Sequence, residues 1–262
     1  MAKSLIGGLI QNGYAADHIY VTDPDESKLQ ALTETYSIHT SSDNQQALTK
    51  ADVVVLAVKP QVMAQICHSI KKSVQTTQPL IISIAAGIRS TDIDRWLGNN
   101  NAIVRTMPNT PSLIQAGATG LFANPGTSAA QKSIAENILA AAGLTLWVDN
   151  EAQLDAVTAV SGSGPAYFFL FMEAMQQAGQ QLGLDQTTAG LLARQTALGA
   201  ARMALEGEDD PATLRAKVTS KGGTTAAALA SFEANHFSDI VQQALTAARD
   251  RAIELADELG NQ

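Results

Sequence analysis

Two uninterrupted apolar segments constrain the fold of this chain more than any other feature. Residues 51–58 read ADVVVLAV and residues 79–84 read PLIISI. Parallel strands that are covered on both faces have this composition, because neither side of the strand meets water. Segments of helical character precede and separate the two runs, and this alternation is typical of a doubly wound α/β sheet. Such sheets bind their ligands beyond the carboxyl ends of the strands.

The pattern along the chain predicts two domains. After residue 150 no β-rich run follows, and long segments rich in alanine and leucine are broken at glycine and proline. We therefore expect an α/β domain over residues 1–150 and an all-helical domain over residues 151–262. Within the first domain we expect helices at 2–12, 26–36 and 128–142, and further strands at 19–22, 102–105, 119–122 and 144–148.

The helix expected to begin near Pro165 is apolar on every side, with the sequence YFFLFM over residues 167–172. A helix of this kind has to be covered all round, and a small bundle achieves this most readily by pairing with another subunit. A central helix in a monomeric bundle is the alternative.

Charge and reactive side chains limit the classes of partner. With a formal net charge of -8 and no basic stripe, the chain is not expected to bind nucleic acid or an anionic membrane. No segment approaches the roughly 20 apolar residues of a membrane span. Cys67 is the single cysteine, which fits the reducing cytoplasm. The histidines, His18, His39, His68 and His236, have no ligand partners at metal-binding spacing, so we expect no metal site.

Residues 218–225, VTSKGGTT, form a segment that we call the glycine loop, and the helix-forming run AAAL follows it directly. Glycine lets the backbone approach a ligand closely, and the helix behind it presents unpaired N–H groups and a partial positive charge. The hydroxyl groups of Ser220, Thr224 and Thr225 add donors and acceptors. This loop suits a small molecule with a carboxylate and a second polar atom, and a simple helix cap is the alternative.

The wider surroundings of the glycine loop resemble the signature segment of the pyrroline-5-carboxylate reductase family, which catalyses the last step of proline synthesis. The matching positions are Pro211, Leu214, Val218, Thr219, Ser220, Gly222, Gly223, Thr224, Ala227, Leu229, Phe232 and Glu233. The resemblance extends, in family order, to AVKP at 57–60, SIAAG at 83–87, RTMPNTP at 105–111 and SGSGPAY at 161–167. It therefore spans nearly the whole chain.

This resemblance implies a Rossmann-like N-terminal domain and an all-α C-terminal domain that dimerises. It further implies the reduction of 1-pyrroline-5-carboxylate to L-proline by NADPH, with NADH possible. The protein is then expected to be a cytoplasmic homo-oligomer built from dimers.

The functional residues of the family carry over position by position. The matching cofactor-binding positions are Asn44, Ala57, Val58, Lys59, Pro60, Ala85, Ala86, Gly87, Met107 and Asn109. The matching substrate-binding positions are Glu208, Val218, Ser220, Gly222, Gly223, Thr224 and Thr225. On this comparison the N–H groups of Gly222 and Gly223, with Thr224, hold the substrate carboxylate. Thr225 matches the hydroxyl that hydrogen-bonds the ring nitrogen, which makes it the catalytic candidate.

Two features depart from the family pattern. Dinucleotide-binding folds open with a strand and a glycine-rich turn, whereas residues 1–9 match what the family places directly after that turn, so we expect the native protein to begin roughly ten residues upstream of Met1. Asp23 follows the strand at 19–22, where an acidic side chain accepts hydrogen bonds from a ribose 2′-hydroxyl and repels a 2′-phosphate. The sequence thus leans less firmly toward NADPH than the family does, unless Asp23 serves only the turn.

Two other functions stay open at the level of sequence. A dehydrogenase of the β-hydroxyacid type also has a Rossmann-like domain followed by helices, but it uses a lysine on an early helix of the second domain. No lysine stands between Gly162 and Arg215, which argues against this class. A non-catalytic helical dimer derived from a reductase is the other alternative, and the retained strand-end motifs and glycine loop argue against it.

Overall fold

The computed structural model describes residues 1–261, which form seven β-strands and twelve α-helices. The strands are β1 (Tyr20–Thr22), β2 (His39–Ser41), β3 (Val53–Leu56), β4 (Leu80–Ser83), β5 (Ile103–Met107), β6 (Gly117–Ala123) and β7 (Gly143–Trp147). The helices are α1 (Ala2–Gln11), α2 (Glu26–Tyr36), α3 (Asn44–Leu48), α4 (Met63–Thr77), α5 (Ser90–Leu97), α6 (Ala129–Ala140), α7 (Gln153–Val157), α8 (Gly164–Gln181), α9 (Gln186–Glu206), α10 (Pro211–Lys217), α11 (Thr224–Ala234) and α12 (Phe237–Gly260). None of the helices in this part of the chain combines the length and the apolarity that crossing a membrane requires.

The chain folds into two compact units. The first comprises Met1–Ser163 and the chain from Ala247 onward, and the second comprises Gly164–Thr246. This division differs from the predicted one at residue 150. The reason is that α7 packs against β5 and β6, while Leu255 and Leu259 of α12 pack into the core beside the main sheet. The change in composition near residue 150 marks the last strand of the first unit. It does not mark the end of that unit, because helices later in the chain also pack into it.

The main sheet of the first unit has five strands in the order β3-β4-β5-β6-β7. Its pairs are parallel except for β5 and β6, which are antiparallel. The predicted α/β sheet with helices on both faces is confirmed, and the antiparallel pair is a feature that the sequence pattern did not predict. Residues 108–116 connect the two strands, and a connection of this length is too short for the crossover that parallel strands need.

Helices cover the main sheet on both faces. On one face, Leu5 of α1 and Leu139 of α6 pack with Ile82 and Leu121 of the strands. On the other face, α4, α5 and the end of α12 pack against Ile81 and neighbouring residues. All four residues of β4 are buried, which confirms the expectation drawn from residues 79–84. Strand β3 is an edge strand of this sheet and its three valines are only half-buried, so coverage of both faces is incomplete there.

A second, two-stranded sheet pairs β1 with β2 in parallel, with Tyr20 opposite His39 and Thr22 opposite Ser41. Helix α1 contributes to the cores beside both sheets, because Leu5 packs with the five-stranded sheet while Ile6 packs with Ile19 and Ile38. Strand β2 and helix α3 were not predicted from the sequence, since each is short and polar.

The second unit is entirely helical, as predicted. Helices α8 and α9 pack against each other over much of their length. Phe171, Phe232 and Phe237 bring α8, α11 and α12 together, with ring centroids 5.3 to 6.5 Å apart. Other large apolar side chains of α8 remain uncovered in the single chain, including Phe168 at 66% exposure and Phe169 at 62%.

Candidate active site

The cofactor-side residues following β3 and β4, and those at the end of β5, lie along one edge of the main sheet. Leu56, the last residue of β3, lies opposite Ser83, the last residue of β4, and Ser83 lies opposite Arg105, two residues before the end of β5. The segments 57–60, 85–87 and 107–109 therefore lie side by side at the carboxyl edge, where such sheets bind their ligands. The register of the strands thus brings together the predicted residues of these three segments.

The exposed parts of this edge are small or flexible. Ala57 and Lys59 after β3 are exposed, Val58 and Pro60 are half-buried, and Ala86 after β4 is exposed. The small side chains leave the backbone open to a flat ring, and Lys59 provides a mobile positive charge. These properties fit the nicotinamide and phosphate groups of a dinucleotide.

Two residues of the second segment have structural roles. Ala85 is 4% exposed and forms part of the core. Gly87 has φ +69, and a Cβ there would lie 3.4 Å from Leu255 Cβ of α12. The left-handed backbone conformation and the nearby helix α12 explain why residue 87 is glycine. Of residues 85–87, mainly Ala86 is exposed and can contact a ligand.

Asn44 lies at a different strand end. It is the first residue of α3, after β2 in the two-stranded sheet, and it is half-buried behind the Asp43 side chain that caps α3. Because β2 is hydrogen-bonded to β1 and not to the main sheet, the register of strands does not place Asn44 beside the other cofactor-side residues.

Met107 and Asn109 connect the end of β5 to the π-helical turn Thr158–Gly162. The Asn109 side chain donates from Nδ2 to the Ser161 carbonyl at 3.0 Å and accepts at Oδ1 from the Ala118 N–H at 2.9 Å. The end of the Met107 side chain occupies the space that a side chain at position 162 would need. Asn109 therefore holds neighbouring segments in place, with both ends of its amide engaged by the protein.

The glycine loop forms a tight turn in front of α11. The N–H of Gly223 donates to the Ser220 carbonyl at 3.0 Å, which closes a turn over four residues. Gly222, the third residue of this turn, has φ +74, a conformation that favours glycine in type II turns. A Cβ at position 223 would collide with Ser220 Oγ. Backbone conformation at position 222 and lack of space at position 223 thus explain why both residues are glycine.

This turn corrects one expectation about the carboxylate site. The Gly223 N–H is already bonded to Ser220, and it is not free to hold a ligand. Helix α11 has no side-chain cap, and within residues 1–261 the N–H groups of Thr224 and Thr225 have no backbone acceptor. The N–H groups of Gly222, Thr224 and Thr225 are thus the donors that remain for an anion at this helix terminus.

The hydroxyl groups around the loop differ in exposure. Ser220 and Thr224 are exposed, whereas Thr225 is half-buried in the first turn of α11. Within the described part of the chain, the Thr225 hydroxyl makes no side-chain hydrogen bond. It is thus available to a ligand held at the loop. Val218 is the C-cap residue that follows α10, and it is 61% exposed.

Glu208 lies in the exposed turn between α9 and α10. Its neighbour Asp209 forms an ion pair of 2.5 Å with Lys217, the last residue of α10 before the glycine loop. This pair connects the turn that carries Glu208 to the start of the loop within the second unit. Glu208 and the loop residues belong to the second unit, and the cofactor-side residues belong to the first.

A buried charged group at the end of β5 was missed from the sequence. Arg105 is 4% exposed, and its guanidinium lies 3.1 Å from Glu151 Oε1 and 3.6 Å from Asp155 Oδ1. The Glu151 carboxylate also accepts from Ser90, at 2.6 Å from the N–H and 2.7 Å from the hydroxyl. An arginine inside an apolar strand has to be paired, and this was the signal available in the sequence.

The two carboxylates beside Arg105 differ in how closely they pair with it. Loss of hydration on burial raises the pKa of Asp155 above its ordinary value, and Arg105 and Arg89 offset only part of that effect. Asp155 Oδ1 makes no hydrogen bond within residues 1–261, since its distance from Arg105 exceeds hydrogen-bond range. Glu151 therefore provides the main counter-charge to Arg105, and both residues lie next to the strand end that begins the 107–109 segment.

Comparison with known proteins agrees with this arrangement. Residues 151–255 match the family described as pyrroline-5-carboxylate reductase dimerisation, and residues 1–87 match the family described as NADP oxidoreductase, coenzyme F420-dependent. The chain is 52% identical over 260 residues to pyrroline-5-carboxylate reductase of Pseudomonas aeruginosa, covering 99% of this chain and 95% of the relative. The relative from Haemophilus influenzae is 46% identical over 256 residues, covering 97% and 94%.

Solved structures show the same similarity. A pyrroline-5-carboxylate reductase from Coxiella burnetii superimposes with a TM-score of 0.94 at 49% identity, covering 97% of this chain and 94% of that one. The Plasmodium falciparum pyrroline carboxylate reductase, determined with NADP bound, has a TM-score of 0.84 at 27% identity, with the same coverages. The chain therefore belongs to the pyrroline-5-carboxylate reductase family.

Proposed function

We propose that this chain reduces 1-pyrroline-5-carboxylate to L-proline, the last step of proline biosynthesis. The C=N bond of the ring becomes a C–N bond, with a hydride added to C5 and a proton added to the nitrogen. The reduced nicotinamide of NADPH, or alternatively of NADH, supplies the hydride and leaves as the oxidised cofactor. The glycine loop in its family context is the observation that carries this proposal.

The substrate carboxylate is proposed to bind the N–H groups of Gly222, Thr224 and Thr225 at the start of α11. The turn of the glycine loop supports this choice of donors. It engages the Gly223 N–H and, within residues 1–261, leaves the other three N–H groups without a backbone acceptor. The partial positive charge of the helix terminus adds to the attraction. Ser220, Val218 and Glu208 border this site and shape it.

Thr225 is proposed to orient the ring nitrogen. Its hydroxyl can donate to or accept from the ring nitrogen of a substrate whose carboxylate is held at the same helix terminus. A protonated imine is already electrophilic, so the chain needs to hold the reactants in line more than to supply a strong acid. The hydroxyl of Thr225, half-buried and without a side-chain hydrogen bond within residues 1–261, fits this orienting role.

The first 150 residues are proposed to hold the cofactor. Ala57, Val58, Lys59 and Pro60, together with Ala85, Ala86 and Gly87, provide the small and positively charged edge described above. Met107 and Asn109 border the same edge, and Asn44 lies at the end of the neighbouring small sheet. This assignment rests on the register of the strands and on the family match over residues 1–87.

Residues 151–262 are proposed to carry substrate binding and dimerisation, so the working protein is a homo-oligomer built from dimers. The family match over residues 151–255 and the uncovered aromatic side chains of α8 support this proposal. We place the enzyme in the cytoplasm, which agrees with the single, buried cysteine.

The direct test follows the loss of reduced nicotinamide absorbance and the formation of L-proline on addition of pyrroline-5-carboxylate. We expect substrate-dependent oxidation of NADPH with equal amounts of proline formed. Gly223→Val should raise the KM for the imine, because its side chain crowds Ser220 and opens the turn. Binding of the cofactor without any turnover would favour the non-catalytic alternative instead.

A further inference from the structure

We propose that the last turns of α12 position the cofactor-side segment 85–87, and that Leu255 and Leu259 are positioning residues for the cofactor. The two leucines act through Gly87, and so through the exposed Ala86 beside it. This inference rests on the proposed function, because it assumes that the segment contacts the reduced dinucleotide. It concerns contacts within the first unit alone.

The segment depends on packing for its position, because it lies beyond the end of β4. The Ile84 N–H still donates to a carbonyl of β3, at 3.3 Å, but residues 85–89 belong to no strand or helix. Ala85 and Gly87 are buried, whereas Ala86 between them is exposed. The neighbours of the two buried residues therefore determine where Ala86 lies.

Helix α12 packs directly on Gly87. A Cβ at this position would lie 3.4 Å from Leu255 Cβ and 3.7 Å from Leu259 Cδ1. The two leucines are four residues apart, which places them on one face of the helix. Leu259 is 8% exposed, Leu255 is half-buried, and both pack in the core that also contains Ala85. The two leucines thus form the surface against which Gly87 lies.

Two arginines hold the end of α12 beside this segment. Arg89 Nη2 lies 2.6 Å from Asp257 Oδ1, two residues beyond Gly87. Arg95 donates to the Gly260 carbonyl, at the end of the helix where carbonyl groups lack partners within the helix. The Arg89 pair is exposed and contributes little on its own, so the apolar contact is the larger part of the support.

A purely structural role for Leu255 makes a different prediction from a positioning role. If Leu255 only fills the core, its truncation lowers the free energy of unfolding, and the molecules that remain folded bind the cofactor normally. If Leu255 positions the segment, its truncation lets Gly87 and Ala86 shift toward the space that opens. Small displacements of groups that contact a ligand have large effects on its binding and reaction.

The test measures the dissociation constant of NADPH, from the change in its fluorescence without imine, together with steady-state kinetics. In Leu255→Ala we expect the dissociation constant and the KM for NADPH to rise by about five- to tenfold, because ground-state contacts to the cofactor are lost. The kcat at saturating NADPH and the KM for the imine should stay within about twofold, since the glycine loop is untouched. Leu255→Met keeps the side-chain volume and should restore the affinity.

Val74→Ala is the matched control, because Val74 of α4 is fully buried in the same core but lies on another helix. Urea denaturation establishes that each variant is folded under the assay conditions. Leu259→Val is a smaller truncation that should raise the dissociation constant in the same direction, and it replaces Leu255→Ala if that variant does not fold.

An unchanged dissociation constant in the leucine variants would overturn the proposal, as would an equal rise in Val74→Ala. These results differ from a failure of the proposed function. If the unaltered protein does not bind NADPH, the cofactor site itself is wrong. If it binds NADPH and the leucine variants bind it equally well, only the role of α12 is wrong.

Discussion

At the scale of single residues, the hydroxyl of Thr225 is uncommitted among the described residues, whereas two other threonines close to it in sequence are engaged. Thr219 donates to the Arg215 carbonyl at 2.6 Å and Thr213 to Asp210 at 3.2 Å, so both are engaged in the backbone or in a helix cap. Thr225 has no such commitment among the described residues and lies in the first turn of the helix behind the glycine loop. Its hydroxyl is therefore available to a ligand held at the glycine loop.

Replacing Thr225 by alanine should lower kcat by about tenfold to a hundredfold, in line with one positioned hydrogen bond. The dissociation constant for the cofactor should stay within about twofold, because the proposed cofactor contacts lie in the first unit. Thr225→Ser keeps a hydroxyl and is the matched control, which should retain most of the rate. An unchanged kcat in the alanine variant would remove Thr225 from the mechanism.

Asp155 predicts a pH dependence of stability. Its pKa is raised above the ordinary 3.8, chiefly by loss of hydration. The folded protein then binds this proton more tightly than the unfolded chain does, so the stabilisation is fully present below pH 3.8 and is lost as pH rises through the raised value. Asp155→Asn cannot titrate. Denaturation by urea should show the variant gaining stability relative to the unaltered protein as pH increases from below 3.8, and a constant difference would contradict the assignment.

At the scale of elements, the Glu151 carboxylate connects three parts of the first unit. It accepts from the N-terminal residue of α5, pairs with Arg105 of β5, and lies just before α7. The interactions with Ser90 and Arg105 are partly buried, and they hold β5 against the start of α5. The position of the 107–109 segment depends on that contact.

Glu151→Gln should lower the free energy of unfolding by about 2–4 kcal/mol, because a buried arginine loses its main counter-charge. Urea denaturation measures this change. The control is Glu254→Gln, which removes an exposed ion pair of 2.8 Å with Arg251 and should have no measurable effect. Equal effects in the two variants would show that burial adds nothing to the Glu151 interactions.

The elements also show what the sequence could predict. Helix α2 was predicted with its observed bounds, because Asp25 caps its first turn and Ser37 ends it in a left-handed conformation. Strand β2 was not predicted, since three polar residues become a strand only by pairing with β1. The antiparallel direction of β6 follows from the length of its connection, which a pattern of strands alone does not reveal.

The candidate site divides in the same way. The strand-end residues and the glycine loop were located by their sequence motifs, because the need for glycine or a small residue arises from the local backbone and is visible in the sequence. The engagement of the Gly223 N–H and the partners of Arg105 were not predicted. Both depend on which groups meet in three dimensions, and residues 105 and 151 are far apart in sequence.

At the scale of the whole molecule, the apolar side chains of α8 predict association. Phe168, Phe169 and Leu170 are each more than 60% exposed in the single chain. Side chains of this size are seldom left uncovered together on a monomer, and exposed apolar surface of this kind marks an interface.

Phe169→Asp should therefore shift the protein toward monomer, as measured by light scattering across a range of concentrations. A charge placed in a covered apolar interface loses its hydration, and this opposes association. Ile114→Asp is the control, because Ile114 is 79% exposed but lies outside residues 151–262. Association that persists in Phe169→Asp, or that is lost equally in the control, would contradict the placement of the interface on α8.

The most direct measurement of the whole account uses NADPH that carries deuterium on the transferable position of the nicotinamide. The protein is incubated with this cofactor and pyrroline-5-carboxylate, and the product is examined by mass spectrometry and NMR. We predict L-proline with a single deuterium at C5. Unlabelled proline, or no proline in the presence of bound cofactor, would contradict hydride transfer to the ring imine.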